Sequence, residues 1–326
     1  MRPVVDFSLR RDHGPQAGFQ AARLGGVVGF SGTSNVDAAA RLGLPASGTM
    51  AHSYVQSFAS EEAAFRAFAR AHPGPVTLLV DTYDTDAGVA TAARVLAGLR
   101  RGPGCAVRLD SGDLGRLAHR ARARLDAAGL PDVKIVASGG LDEYAIDTLL
   151  SGGAPIDVFA VGTRVGVAAD APYLDAAYKL VAYDGRPVMK LSSAKVTSPA
   201  PKQVYRWAGR PDVIALRDET PPPDADPLLC TVMRGGRRTG PADTLAAART
   251  RFEADLGMLP HEALRIRGPR PPHPDPSERL SRLTDEVRER LLAGIAGGAE
   301  DTDTGDPRPD TPRSGGVTGG RPRAGR

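Results

Sequence analysis

Cysteine is scarce in this chain. Cys105 and Cys230 are the two in 326 residues, far apart and in no CxxC or histidine-flanked spacing. That excludes a disulfide framework and a cysteine–histidine zinc site, and it fits a reducing cytoplasm. Long apolar runs are missing too. The opening MRPVVDFSLRRDHG holds no apolar stretch of signal-peptide length, and no later stretch reaches bilayer-spanning length. A cytoplasmic protein without a membrane segment is expected. Nor does a GxGxxG turn follow the first apolar run, which argues against a doubly wound dinucleotide fold.

The charge balance excludes less. The net charge is +4, and residues 231–270 hold eight arginines against four acids, so that stretch alone accounts for the excess. Elsewhere aspartate and arginine are mixed, which suits a small phosphorylated substrate better than a nucleic acid.

What is present begins early: Asp6, Arg10, Arg11 and His13 crowd into the first thirteen residues. From there to Ser193 one pattern repeats, a short apolar β-branched run ending in polar or glycine residues and often followed by an alanine-rich amphipathic segment. The runs are VVDF, VVGFSGTSN, VTLLVDTYD, AVRLDSGD, VKIVASGG and VFAVGT, with VMKLSS a further candidate. Helices are expected over Glu61–Ala71, Gly88–Leu99, Leu114–Ala128 and Asp142–Leu150. Leu114, Leu117, Ala121 and Leu125 form a stripe that would pack on a sheet. Strand–helix alternation predicts a parallel sheet covered by helices. Polar residues cap nearly every strand, and a site spread over strand C-terminal ends points to an α/β barrel, here an irregular one.

After Ser193 the pattern changes. KQVYRW, DVIALR and LLCTVMRGGRR read as an antiparallel meander, Thr244–Leu256 as a helix, and Ser277–Ile295 as a last helix with Ser277 as its N-cap. From Gly297 the chain is almost without apolar residues and is expected to be disordered. The domains expected are therefore 1–200, 201–296 and a tail, 297–326.

The strand ends suggest chemistry. In RLDSGD, Arg108 and Asp110 alternate along a strand and point to one side, either as a phosphate or carboxylate clamp with a ribose acceptor or as a structural rim pair. ASGG and VFAVGT place Gly139, Gly140, Gly162 and Thr163 where exposed backbone N–H groups can bind phosphate, or where a tight turn simply needs glycine. His52 in GTMAHS is either a structural imidazole or an acid–base or nucleophilic group. Asp81 and Asp84 are either helix caps or carboxylates reaching a metal through water. Together these residues describe a barrel that binds a sugar phosphate and a second anionic group, with the reaction open.

The ordered series DFSLRRDHG, GFSGTSNV, GTMAHSYVQSF, LLVDTYDT, VRLDSGDL, KIVASGGLDEY, DVFAVGT and KLSSAK…PKQVYR closely resembles the nicotinate phosphoribosyltransferase family. The resemblance implies an incomplete α/β barrel of the type II phosphoribosyltransferase kind, with part of an antiparallel second domain. It implies synthesis of nicotinate mononucleotide and pyrophosphate from nicotinate and phosphoribosyl pyrophosphate, coupled to ATP hydrolysis, with Mg²⁺, in a cytoplasmic homodimer. By the same resemblance His52 is the histidine that ATP phosphorylates, Arg108 and Asp110 are catalytic, and Asp6, Arg10, Arg11, Ser34 and Asp142 contact substrate. Gly139, Gly140, Gly162 and Thr163 hold the 5′-phosphate, and Lys190, Lys195 and Lys202 form a basic, anion-contacting segment. No direct metal ligand is expected. Family members carry a domain before the DFxLRR segment, so an N-terminally truncated member is expected, with a pocket lacking one wall. The alternatives are a related enzyme using nicotinamide or quinolinate, and an inactive fragment that only binds phosphoribosyl ligands.

Overall fold

The computed structural model describes residues 2–174, 176–192 and 196–300. The elements, in chain order, are β1 (Val4–Asp6), α1 (Pro15–Val27), β2 (Gly32–Thr33), α2 (Val36–Leu42), α3 (His52–Gln56), α4 (Glu61–Ala71), β3 (Thr77–Leu79) and α5 (Thr85–Gly98). There follow β4 (Ala106–Leu109), α6 (Leu114–Ala127), β5 (Lys134–Ala137), α7 (Glu143–Ser151), β6 (Val158–Val161) and α8 (Thr163–Gly166). The remainder are β7 (Ala182–Tyr183), β8 (Arg186–Pro187), β9 (Lys202–Arg206), β10 (Val213–Leu216), β11 (Asp226–Pro227), β12 (Met233–Arg234), β13 (Arg237–Arg238), α9 (Leu245–Met258), β14 (Asp275–Pro276) and α10 (Glu278–Glu300). The chain forms two compact units: Met1–Ala177 with Arg206–Asp212 and Asp224–Pro274, and Tyr178–Tyr205 with Val213–Pro223 and the stretch from Asp275. The expected boundary at 200 is thus not a single cut, because two later stretches return to the first unit.

In the first unit six parallel strands lie in the order β2-β1-β6-β5-β4-β3. Read from β3, the order is 3-4-5-6-1-2: every step advances by one, and β6 pairs back onto β1 through Val4–Phe159, Val5–Ala160 and Asp6–Val161. A doubly wound sheet reverses direction at a switch point, whereas this order is the cyclic progression of a barrel, open between β2 and β3. The expected irregular, incomplete α/β barrel is what the chain forms. At the open edge a segment before α3 adds a rudimentary strand to β2, since Thr33 N donates to the Pro45 carbonyl (3.1 Å) and Ser47 N to the Thr33 carbonyl (2.9 Å).

The strands are buried on the helix-covered side by Leu78, Val107, Leu109, Ile135 and Phe159, all at most 1 % exposed. Each such side chain contributes roughly 1.5–3 kcal/mol. Helix starts follow local chemistry: Asn35, Ser60, Asp84, Asp113 and Asp142 each accept a hydrogen bond from the amide three residues on.

Four expectations need correction. The apolar VVGF run is not a strand: α1 continues to Val27 and β2 is only Gly32–Thr33. At Gly26 the helix is closely packed: a Cβ there would lie 2.9 Å from Leu245 of α9 and 3.1 Å from Leu44. VMKLSS forms no seventh parallel strand among its described residues. On α6 the buried stripe is Leu114, Ala118, Ala121 and Leu125, with Leu117 half-buried beside it. Last, α10 runs to Glu300, past the expected onset of disorder at Gly297; the rest of that tail, 301–326, lies outside the described residues.

In the second unit β9 and β10 pair antiparallel from Val213–Tyr205 to Leu216–Lys202, as the meander reading expects, and β14 adds in parallel beside β10. Ser277 caps α10 by accepting from Leu280 N (3.1 Å), and α10 buries Leu280 and Val287.

Candidate active site

The C-terminal strand ends of the barrel surround a cavity of about 670 Å³. Each strand but one delivers its contribution from the residues just past its end. Phe7, Arg10 and Arg11 follow β1, Ser34 follows β2, and Asp110 follows β4. Ser138–Gly140 follow β5, and Gly162 and Thr163 follow β6. The segment Ala46–His52, which fills the open edge, supplies a further wall.

Arg108 is the hub, with a side chain only 11 % exposed. Its Nε donates to Ser138 Oγ (2.7 Å), Nη1 to Thr49 Oγ1 (2.8 Å) and Nη2 to Asp110 Oδ1 (2.7 Å), and the guanidinium lies 5.2 Å from the Phe7 ring centroid. Three of its five N–H groups are therefore committed to the protein, leaving two for a ligand. Ser138 Oγ in turn donates to Asp110 Oδ1. Burial pushes the Asp110 carboxyl up, but the Ser138 hydrogen bond, the Arg108 charge and hydrogen bond, and a contribution from His52 outweigh it and hold Asp110 below the ordinary carboxylate range. Asp110 is thus ionised at neutral pH.

His52 stands beside it, with Nε2 3.5 Å from Asp110 Oδ2 and Nδ1 3.2 Å from Thr82 Oγ1. Because an ionised carboxylate only accepts, this arrangement puts the proton of a neutral ring on Nε2 and lets Nδ1 accept from the Thr82 hydroxyl.

Gly139 has φ +95°, and a Cβ there would lie 1.9 Å from the Asp110 carbonyl oxygen. Only glycine lets the β4 and β5 ends meet so closely. That contact sets the Ser138–Gly139 turn directly against Asp110. Gly140, at φ +65°, has open space beside it and faces the cavity.

The cavity brings together most of the expected site residues but leaves four aside. Asp6 is 3 % exposed and does not line it; its carboxylate accepts from Ser8 N (2.9 Å) and Thr33 Oγ1 (2.6 Å), tying β1 to β2. Asp142 caps α7 and pairs with Arg164 (2.6 Å), and the Ala145 amide, outweighing slight burial and helped by Arg164, lowers its pKa. Asp84 caps α5. Asp81 braces the β4 exit, Oδ2 accepting from Asp110 N (3.0 Å) and Ser111 Oγ (2.6 Å). Among the described residues no group of three or more His, Cys, Asp or Glu is arranged to hold a metal.

The basic segment belongs to the second unit. Lys202 Nζ donates to the carbonyls of Ser198 (2.7 Å) and Ala200 (2.6 Å), an internal cap, and burial lowers its pKa. Lys190 is exposed, and Lys195 lies outside the described residues. Sequence reasoning missed Thr49, Phe7 and Thr82. Each sits inside a quoted motif, but a hydroxyl or ring whose partner is 30, 59 or 101 residues away leaves no periodic trace.

Comparison with known proteins agrees with this picture. Residues 3–197 match the model of the nicotinate phosphoribosyltransferase (NAPRTase) family. A nicotinate phosphoribosyltransferase of Mycobacterium tuberculosis is 50 % identical over 269 residues, covering 80 % of this chain and 57 % of the relative. One from Bacillus subtilis is 45 % identical over 230 residues, covering 66 % and 47 %. The crystal structure of human nicotinic acid phosphoribosyltransferase superposes with a TM-score of 0.68 at 27 % identity, covering 87 % of this chain and 70 % of that one. The chain spans about half the length of the first two relatives. No helix among the described residues is long and apolar enough to cross a membrane.

Proposed function

This chain belongs to the nicotinate phosphoribosyltransferase family, and from that premise we propose that it makes nicotinate mononucleotide from nicotinate and phosphoribosyl pyrophosphate, with ATP hydrolysis coupled to the step. The pyridine nitrogen would attack C1 of the ribose. The C1–O bond to pyrophosphate breaks as the N–C1 bond forms. Positive charge builds on the sugar and negative charge on the leaving group.

One observation carries this reading: a single cavity presents an ionised aspartate held by a buried arginine, two arginines without protein partners, and two glycine-containing turns. Arg10 and Arg11 are exposed and their guanidiniums form no ion pair or hydrogen bond with other described residues, so they are free to take a carboxylate or phosphate. Asp110 faces the ribose, where a fixed anion tolerates the developing positive charge. The turns at Gly139–Gly140 and Gly162–Thr163 hold the 5′-phosphate through backbone amides. Asp6, Asp84 and Asp142 act as braces, since protein donors already hold their carboxylates, and Asp81 braces the β4 exit through Oδ2 alone.

Mg²⁺ is usually held by one or two carboxylates together with substrate phosphates, not by a protein cage. At the β3 exit Asp84 is committed to a helix cap and Asp81 Oδ2 to a loop brace, while Asp81 Oδ1 is buried without a hydrogen-bond partner among the described residues. The family resemblance extends the reading to a cytoplasmic homodimer, which light scattering of the purified chain tests in part.

The test is formation of nicotinate mononucleotide by the purified chain given nicotinate, phosphoribosyl pyrophosphate, Mg²⁺ and ATP, followed by chromatography. No product above background overturns the reading for this chain, and equal use of nicotinamide overturns the carboxylate role of Arg10 and Arg11. His52→Ala is expected to lose the stimulation by ATP while keeping some synthesis. Unchanged stimulation would remove the phosphohistidine assignment.

A further inference from the structure

Asp12 follows the two free arginines directly and plays no part in the chemistry above, yet it is the most constrained residue of their turn. Its Oδ2 accepts from Ser8 Oγ (2.8 Å), and Ser8 is 1 % exposed. Arg11 N donates to the Ser8 carbonyl (2.7 Å) and Gly14 N to the Asp12 carbonyl (2.9 Å), so the turn that carries Arg10 and Arg11 is closed at Ser8 and Asp12. Two glycines let helices press on this closure. A Cβ on Gly166, the last residue of α8, would lie 2.3 Å from Ser8 Cβ and 2.4 Å from Asp12 Oδ1. A Cβ on Gly18 of α1 would lie 2.7 Å from Leu9 Cδ1 and 3.0 Å from Asp12 Oδ2. Asp12 Oδ1 is buried and accepts no hydrogen bond from the described residues. A carboxylate oxygen left so is a cost to the fold, of the kind proteins retain where position matters more than stability.

The other end of α8 matters equally. Gly166 N closes the helix onto the Gly162 carbonyl (2.9 Å), and Gly162 and Thr163 line the cavity. One four-residue helix therefore touches the arginine turn at its end and forms a cavity wall at its start.

We propose that Asp12 is a positioning residue: Asp12, Ser8 and Gly166 form a clasp that holds the Arg10–Arg11 turn at a fixed separation from the Gly162–Thr163 turn, and so sets affinity for nicotinate, whose carboxylate meets the arginines while the 5′-phosphate of the second substrate occupies the other turn. The clasp itself follows from the contacts; its effect on nicotinate rests on the function proposed above. Asp12 acts through the arginines and touches no reacting atom.

Two readouts test it, one of them independent of activity. Hydrogen exchange of the segment Ser8–Gly14 is expected to speed up at least tenfold in Asp12→Ala, while the amides of β4 and β5 keep their protection. In kinetics, Asp12→Ala raises KM for nicotinate about tenfold with kcat within twofold, the scale of one lost hydrogen bond to a charged group. Asp12→Asn, which still accepts from Ser8, stays near the parent in both readouts. Ser8→Ala, a milder change that keeps the Cβ against Gly166, shows the same pattern at smaller size and serves if Asp12→Ala folds poorly. Unchanged exchange in the alanine variant overturns the clasp. Equal loss in Asp12→Asn, or KM and kcat falling away together, overturns the positioning role. If the parent chain makes no nucleotide, the proposed function fails alone and the exchange result still decides the clasp.

Discussion

The two sides of the cavity are built on opposite principles. On the β4–β5 side Arg108, Asp110 and Ser138 hold one another in a closed network, with Arg108 nearly buried and Asp110 kept ionised by its neighbours. On the β1–β6 side Arg10 and Arg11 stand exposed without protein partners, and the turn that carries them is what is fixed. A satisfied network presents one charge in one place and needs no reorganisation when a reaction develops charge beside it. Unpaired guanidiniums keep their hydrogen-bonding capacity for a ligand. The contrast assigns turnover to one wall and binding to the other, and substitution can break it.

The largest effect is expected at Asp110. Asp110→Ala removes the anion that the proposed function sets against the ribose and leaves Arg108 and Ser138 with an unmet partner, so kcat should fall by about a hundredfold or more with KM changed less. Near-normal steady-state kinetics would take Asp110 out of the site and dissolve the contrast from that side.

The next effect lies on the opposite wall. Arg10→Ala and Arg11→Ala are expected to raise KM for nicotinate or for phosphoribosyl pyrophosphate by roughly 10- to 100-fold each, since each removes a charge-assisted contact. Turnover at saturation should survive far better than in Asp110→Ala. Should either variant lose kcat as heavily as Asp110→Ala, the division between a reacting wall and a binding wall is wrong.

Much of this contrast is legible in the sequence, and the part that is not has a common cause. The parallel sheet follows from strand–helix alternation, the barrel from polar residues at the strand ends, and Asp84 and Ser277 read as caps of the helices they open, because these are local signals. The glycine turns and the Arg108–Asp110 pair could be named from their place at strand ends. Their energetic roles could not. Arg108 meets Thr49 and Ser138 across 59 and 30 residues, and no spacing rule foretells that meeting. The same holds for the end of α1, where Gly26 meets a leucine of α9 more than two hundred residues away. Asp6 shows a related limit: an aspartate at a strand end looks alike whether it faces the cavity or, as here, the neighbouring strand's Thr33.

The smallest effect sharpens the contrast by asking what a charge costs where no network receives it. Glu61 opens α4 with Oε1 buried and unpartnered among the described residues, and burial, followed by the charges of Asp81 and Asp84, raises its pKa. Asp110 is the opposite case, an acid whose partners lower its pKa. The signs of their linkage therefore differ. For Asp110 the stabilisation is present above the unfolded-state pKa of about 3.9 and is lost as pH falls through its lower folded value. For Glu61 the protonated form is the comfortable one, so there is no penalty below the unfolded value of about 4.3, and the penalty grows as pH rises through the folded value. Glu61→Gln removes that penalty while keeping the shape. Because Glu61 is partly solvated, the gain is small: the melting temperature should rise by about 2 °C at pH 8 and by almost nothing at pH 4.5. A gain that is equal at both pH values, or a loss at pH 8, would show that Glu61 is held by partners much as Asp110 is, and that the two acids do not differ in kind.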